Sequence, residues 1–411
     1  MARNRIIYQS QALYAGDKTT VNSGNKELHR VQDISFNVDI ARADINEFGQ
    51  LAQLGREITE PPTVSLDFSY YLHNGKNEDD LGFFVNPAES TAASAYSQTA
   101  WDSAIKNIID TTSSVDELNY YILTKPEGTD AHGIINSSSD GVVAIGNGFV
   151  TSLSIEGAVG DYPTASVSVE AANISFGNHG TLDNPAIKES DGTKINTGVI
   201  ALPQSSNAIG SGEDLDGITA LRSGDVTIEF FGSNKKLTMG GAELPSDSNA
   251  TKTPIHVQNF SVELPLSRTP LNKIGNFFPF SREIDFPITG TFSLSANVGD
   301  FSDGELHDIM CGQDKQDCVL TFKNKCSSTL GDGDVVYQIM IKGATLDSQN
   351  FSHGIGDQQS VDLTFSVPLG ANKSTGDGIF LAGQSHVDSV PSTPSASASP
   401  SASASASASP E

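Results

Sequence analysis

The chain has 411 residues, room for two ordinary domains, and its 50 acidic and 24 basic side chains give a net charge of −26. That excess favours solubility and repels nucleic acid, and no cluster of Lys and Arg offers the phosphate contacts a DNA or RNA reader needs. The N-terminus MARNRIIYQSQALYAG has no apolar core of signal-peptide length, and no apolar run approaches the roughly 20 residues that span a bilayer, so folding in the cytoplasm is expected.

Thirty-eight glycines and eighteen prolines, with abundant Ser, Thr, Val and Ile, favour short strands and turns. The first clear strand comes from alternation: Ile34, Phe36, Val38 and Ile40 interleave with Asp33, Ser35, Asn37 and Asp39. Period two implies one face on a core and one polar face. Alternation resumes after a connector of about 22 residues, with Val64, Leu66, Phe68 and Tyr70 opposing Thr63, Ser65, Asp67 and Ser69. The connector carries Ile45, Phe48, Leu51 and Leu54 and reads equally as a short helix folded back on its domain or as an arm reaching a neighbouring subunit.

Trp101, Ala104, Ile105, Ile108 and Ile109 then form an amphipathic helical stripe, and strands are expected around 148–159 and 164–171, joined by a turn at Gly160-Asp161. Residues 257–295 repeat residues 31–69 without a gap, at an offset of 226 and with twelve identities in 39 positions. Arg42/Arg268, Asn46/Asn272, Gly49/Gly275 and Pro61/Pro287 are among them. Phe260, Val262, Leu264 and Leu266 alternate with Asn259, Ser261, Glu263 and Pro265, and Phe292, Leu294 and Ala296 with Thr291, Ser293 and Ser295. The second connector carries Leu271, Ile274, Phe277, Phe278 and Phe280.

A capping box, Ser302 and Glu305, precedes Leu306, Ile309 and Met310, and strands are expected near 335–346 and 360–367 with a turn at Gly356-Asp357. The offset there is 196, so the first copy holds about 30 extra residues within 73–145, expected in surface loops. The resulting division is a first domain over 1–180, a linker and the start of the second domain over 181–225, the second domain over 226–370, and a Ser/Ala/Pro-rich tail over 371–411 that cannot bury a core.

Enzyme chemistry is not expected, and no cofactor is implied. The chain has no Gly-x-Ser-x-Gly elbow, His-Glu-x-x-His helix, Walker loop or dinucleotide fingerprint. His307, Cys311, Cys318 and Cys326 lack the close Cys-x-x-Cys pairs of structural zinc sites, and an odd cysteine count fits reduced thiols. Glu213, Asp214 and Asp216 before Gly217, and Gly331–Asp334, lack the ligand series of a calcium loop and read as acidic turns. Arg56-Glu57 and Arg282-Glu283 read as salt-bridge residues within or between subunits, since no nucleophile lies near.

The stretch VQDISFNVDIARADINEFGQLAQLGREITEPPTVSLDFSYYL and its second copy resemble the major tail tube proteins of tailed bacteriophages, of the long, duplicated kind. The resemblance implies two tandem β-sandwich or barrel domains, each with a flanking helix and a long inter-strand connector. It implies homotrimeric, pseudo-six-fold rings that stack into a hollow tube through which DNA passes during genome ejection without specific binding. The chain would then be a virion protein of a non-contractile tail, assembled in the host cytoplasm with initiator, terminator and tape-measure proteins and with no membrane contact.

The resemblance also implies that Ile45, Phe48, Leu51, Leu54, Leu271, Ile274, Phe277, Phe278 and Phe280 touch the adjacent ring. Asp33, Asp39, Asp67 and Glu263 would face the lumen, and the tail would project outward. Rival readings are another phage tail or baseplate ring component, the tube protein of a contractile secretion system, and a two-domain adhesin or surface-layer protein. A carbohydrate-active enzyme is the weakest rival, with one tryptophan in the whole chain.

Overall fold

A computed structural model describes residues 6–19, 24–110, 116–131, 137–188, 191–203, 220–231, 256–276, 278–279, 281–297, 315–324, 333–352, 358–370 and 373–384. The fold is mainly β. In chain order the first half carries β1 (Gln11–Asp17), β2 (Lys26–Glu27), β3 (Val31–Asp39), β4 (Arg42–Ile45), β5 (Gly55–Ile58) and β6 (Thr63–Tyr71). Next come α1 (Lys76–Asp80), β7 (Val85–Pro87), α2 (Ala92–Ser97), α3 (Lys106–Ile109), β8 (Leu118–Thr124), β9 (Gly141–Ala158), β10 (Thr164–Ala171) and β11 (Asn173–Asn178). The second half carries β12 (Val226–Phe231), β13 (His256–Pro265), β14 (Arg268–Leu271), β15 (Ser281–Ile284) and β16 (Ile288–Asn297). It ends with β17 (Gln316–Lys323), β18 (Val335–Ser352), β19 (Ser360–Leu369) and β20 (Gly378–Gly383).

Alternation builds one sheet. In β6 the side chains of Val64, Leu66, Phe68 and Tyr70 are buried while Thr63, Ser65 and Asp67 face water, and β10 and β16 alternate the same way. Continuous apolar runs build the layer behind it: β8 is buried on both faces through six of its seven residues, and β20 throughout. The long strands β9 and β18 serve both layers. Gly141–Gly148 pairs with β8 and β11, whereas Phe149–Ala158 pairs with β10 and β13. In β18 the N-terminal part pairs with β17 and β20 and the C-terminal part with β19. Each long strand changes layer close to a bulge, at Thr151 and at Asp347.

The two halves correspond strand by strand in register. Val64 faces Ala171 across β6–β10, and their counterparts Gly290 and Val367 face one another across β16–β19. Tyr120 faces Ile145 as Cys318 faces Ile341, with a register shift beside each pair. Gln11 faces Thr124 as Val226 faces Phe322, and Phe176 faces Val143 as Leu381 faces Ile339. Both bulged positions correspond, Thr151 to Asp347, at the offset of 196 read from the sequence.

Several expectations are corrected. The extra residues of the first half fall almost wholly between β6 and β8 and are not surface loops. β7 pairs in parallel with β20, and Ala92, Ala95 and Trp101 pack on Val319, Met340, Phe380 and Ala382. The helix expected over Trp101–Ile109 is one turn, Lys106–Ile109, preceded by a turn, although Trp101, Ala104, Ile105 and Ile108 are all buried. Neither connector is a helix: each is a hairpin, β4–β5 or β14–β15, the first standing clear of the body and the second lying back against β9 and β10. Gly49 and Gly275, at φ 95° and 94°, lie in their turns, where a left-handed backbone breaks the helix-like spacing of the apolar residues. The tail assigned from residue 371 includes β20, whose Ile379, Phe380, Leu381 and Ala382 are fully buried. The helix expected around Ser302, Glu305, Leu306, Ile309 and Met310, the turn at Gly356-Asp357, and residues 385–411 lie outside the described residues.

Candidate assembly interface

A run of eight neighbouring strands, β18-β19-β16-β13-β9-β10-β6-β3, crosses both halves. Its inner face is apolar, and its outer face is made of short polar and acidic side chains. Asp33, Asp39, Asp67 and Glu263, expected on one polar face, stand there with Glu156, Glu170 and Asp362, among Ser65, Ser154, Ser261, Thr291, Ser293 and Thr364. The strand segments that form this face contain no lysine or arginine. A face so built has hydroxyls that bond equally well to water and a field that repels anions.

The halves join where β13 lies antiparallel to the C-terminal part of β9. Ser261 faces Glu156, Val262 faces Ile155, Glu263 faces Ser154 and Leu264 faces Leu153. Leu266 donates its N–H to the Thr151 carbonyl at 2.7 Å, and Val159 donates to that of Gln258 at 2.9 Å. Val262, Leu264 and Leu266 are fully buried at this seam. Their first-half counterparts on and beside β3, Phe36, Val38 and Ile40, remain 42%, 39% and 44% exposed. Among the described residues β3 pairs only with β6, and Thr345–Ser352 of β18 only with β19. The strands that make the internal seam therefore have counterparts at the two free edges of the same sheet.

Arginines fasten the second hairpin to the seam. Arg282 of β15 is almost buried and binds Glu170 of β10 at 2.6 Å, and both Arg268 and Arg282 lie over the Phe149 ring, at 4.6 Å and 5.7 Å. Burial pulls the Arg268 guanidinium below its ordinary pKa, with Asp116 and Glu117 opposing that shift. Burial pushes the Asp116 carboxyl up, with Arg268 as the main counterweight. The first hairpin is free by comparison. Arg56 pairs with Asp44 of its own hairpin at 2.8 Å, both well exposed, and Phe48 and Leu51 at its tip are fully in water, as is Ile274 on the second.

The arginines of the repeated Arg-Glu dipeptides thus form salt bridges, but with Asp44 and Glu170 and not with the glutamates beside them. Neighbours along a strand point to opposite faces, so Glu57 and Glu283 face away from those contacts. Ile45, Leu54 and Leu271 are exposed and Phe278 is partly buried, while Phe277 and Phe280 lie outside the described residues. Glu170 and Phe149 were missed in the sequence, since nothing local marks a partner 112 residues away.

Cys318 is buried and its thiol is pushed well above its ordinary range by burial. His307, Cys311, Cys326, the run Glu213–Gly217, and Gly331 lie outside the described residues. Among the described residues no cluster of His, Cys, Asp and Glu is placed to hold a metal, and no helix is long and apolar enough to cross a membrane.

No family model matches the chain, and no curated protein matches it. Among solved structures, one described as the crystal structure of Hcp protein aligns over 38% of this chain and 98% of its own, at 10% identity and a TM-score of 0.22. Overlap at that level assigns this chain neither a fold family nor a function.

Proposed function

We propose that the chain is a structural subunit that closes with copies of itself into rings, which stack into a hollow tube. The observation that carries this reading is the internal seam. The β9–β13 junction inside one chain has its two sides repeated as free edges, Thr345–Ser352 and β3, at opposite ends of one continuous sheet. A sheet with two complementary free edges removes both by closing head to tail.

With three copies, each contributing eight strands, strands about 4.8 Å apart make a barrel roughly 37 Å across at the backbone, wider if tilted. Inward side chains would leave a lumen of roughly 25–30 Å, wide enough for a DNA duplex. The acidic, hydroxyl-rich face would line it and let a polyanion slide without binding. Phe48, Leu51 and Ile274, held out on hairpins, are suited to contacts between stacked rings.

The finer reading is the tube of a non-contractile phage tail, in the virion, built with initiator, terminator and tape-measure proteins and conducting DNA at ejection. Sedimentation and negative-stain microscopy of the full chain, across concentration and salt, test it. Hollow rings or tubes with three chains per ring are the expected result. A particle that stays monomeric in every condition overturns it.

A further inference from the structure

The seam inside the chain specifies more than that two copies meet; it specifies the register in which they meet and a charge pair that holds it. We propose that β3 of one copy lies antiparallel to Thr345–Ser352 of a second copy with Ser35 facing Ser352, Phe36 facing Phe351, Asn37 facing Asn350 and Val38 facing Gln349, fastened by Arg56 on Asp347. This deepens the ring-forming reading above and rests on it.

The register follows from the correspondence between the two halves. Ser261, Val262, Glu263 and Leu264 of β13 correspond to Ser35, Phe36, Asn37 and Val38 of β3. Glu156, Ile155, Ser154 and Leu153 of β9 correspond to Ser352, Phe351, Asn350 and Gln349 of β18, through the shared register with β10 and β19. Any other register shifts the bulge at Asp347 away from the place Thr151 holds in the internal seam. A slip by one residue also turns Phe36 and Val38 to the polar face.

The charge pair follows from what changes between the seams. Inside the chain Arg282 reaches Glu170. At the outer edge the incoming arginine is Arg56, the counterpart of Arg282, and the position of Glu170 is taken by Ser366. The acid is displaced by one strand rather than lost. Ser366 Oγ donates to Asp347 Oδ1 at 3.1 Å, and Asp347 is exposed on the bulge. The Phe149 position is Thr345, so the ring over which Arg268 and Arg282 lie has no equivalent, and the arginine clasp of the outer seam rests on the ion pair without a ring beneath it. Among the described residues Arg56 is held only by Asp44, through a contact with both side chains more than half exposed. Such pairs are weak enough to be given up or shared.

Two experiments on the full chain test this. In the internal seam, hydrogen-bonded pairs fall at Val159/Gln258 and Thr151/Leu266. Asn37 and Asn350 therefore occupy a non-hydrogen-bonded pair, with Cα atoms about 4.5 Å apart, inside the range a disulfide spans. Asn37→Cys with Asn350→Cys, in a Cys311→Ser, Cys326→Ser background, should oxidise to chains linked in covalent rings. Asn37→Cys with Ser348→Cys, two residues out of register, should not link.

Secondly, Arg56→Glu or Asp347→Lys alone should raise the concentration needed for rings by about 10-fold or more, and the two together should restore it to within a few-fold. Rings that form without the Asn37–Asn350 link, or that ignore the charge changes, overturn this register and clasp while leaving ring formation standing. Absence of rings from the unsubstituted chain overturns both.

Discussion

Val38 and Leu264 occupy corresponding places, one at a free edge and one inside the closed seam, and lysine at each separates folding from assembly. In the isolated chain Val38 is 39% exposed on an edge strand. A lysine there keeps its stem on the apolar face and its ammonium in water, a side chain that edge strands tolerate well. The unfolding free energy should change by less than about 1 kcal/mol. In a closed seam the same position is that of Leu264, which has no exposure, and an unpaired buried charge there costs about 3–5 kcal/mol. Gln349 stands where the internal seam has Leu153, so the lower figure applies, equivalent to roughly a 150-fold weaker junction. Leu264→Lys places that penalty within the chain and should lower its own stability by about 3–5 kcal/mol. Urea unfolding at a concentration below assembly, with sedimentation velocity above it, measures both. Assembly of Val38→Lys at the unsubstituted concentration, or equal destabilisation of the isolated chain by the two lysines, would refute the reasoning.

Replacing Phe48, Leu51 and Ile274 by serine should leave rings intact and abolish their stacking; tubes of unchanged length in electron micrographs would rule out the hairpin contacts. Asp33→Lys, Asp39→Lys and Asp67→Lys together should still assemble but retain duplex DNA with steep salt dependence in a filter-binding assay, and a salt-independent, unchanged DNA affinity would remove the acidic face from the transport argument. Glu78, buried with its carboxylate bonded to Tyr70 at 2.9 Å, is pushed by burial up to about 7, and His73 is pulled by burial down to about 4. Glu78 binds its proton more readily in the folded chain, so its contribution is full at low pH and is lost as pH rises towards 7. His73 does the reverse, stabilising above about 6.5 and losing that contribution as pH falls towards 4. Among Tyr70, Tyr337, Asp79, Asp80, His29 and Arg30 the two slopes oppose one another. Glu78→Gln should therefore expose a stability that rises with pH between about 4 and 6.5, by an amount on the order of 3 kcal/mol, readable as a denaturant midpoint; a flat profile contradicts it.

The paired strands β3, β6, β13 and β16 were legible because each has one wet face, so burial writes itself as alternation. β1, β8 and β17 were not identified, because a strand covered on both sides, such as Leu118–Thr124, carries no period that separates it from a buried helix. β20 was lost to the tail for the same reason, Gly378–Gly383 being a short apolar run before a Ser/Ala/Pro tract. β7 is legible only after folding, since its one ladder partner lies nearly 300 residues away. In the candidate interface, the acidic side chains of the polar face follow from alternation. The Arg282–Glu170 contact does not, since it needs both the hairpin and the β9–β10 register to exist first. The hairpins themselves were obscured by apolar residues at helical spacing, although Asn46, Gly49, Asn272 and Gly275 are residues that favour turns.

The β9–β13 seam also bears on how fast copies can find one another. Its two sides belong to one chain and are further held by β7 on β20, so this junction closes during folding, at an effective concentration set by the tether and not by the amount of protein present. Half of the junctions in a closed ring would then exist before any two chains collide, and a six-fold arrangement would need three encounters where single-repeat subunits need six. Fewer encounters mean a smaller nucleus and a weaker dependence of the assembly rate on concentration. The tethered seam can also hold an orientation that separate subunits must search for, which leaves the outer seam free to be weak enough to dissociate and correct errors before the ring closes.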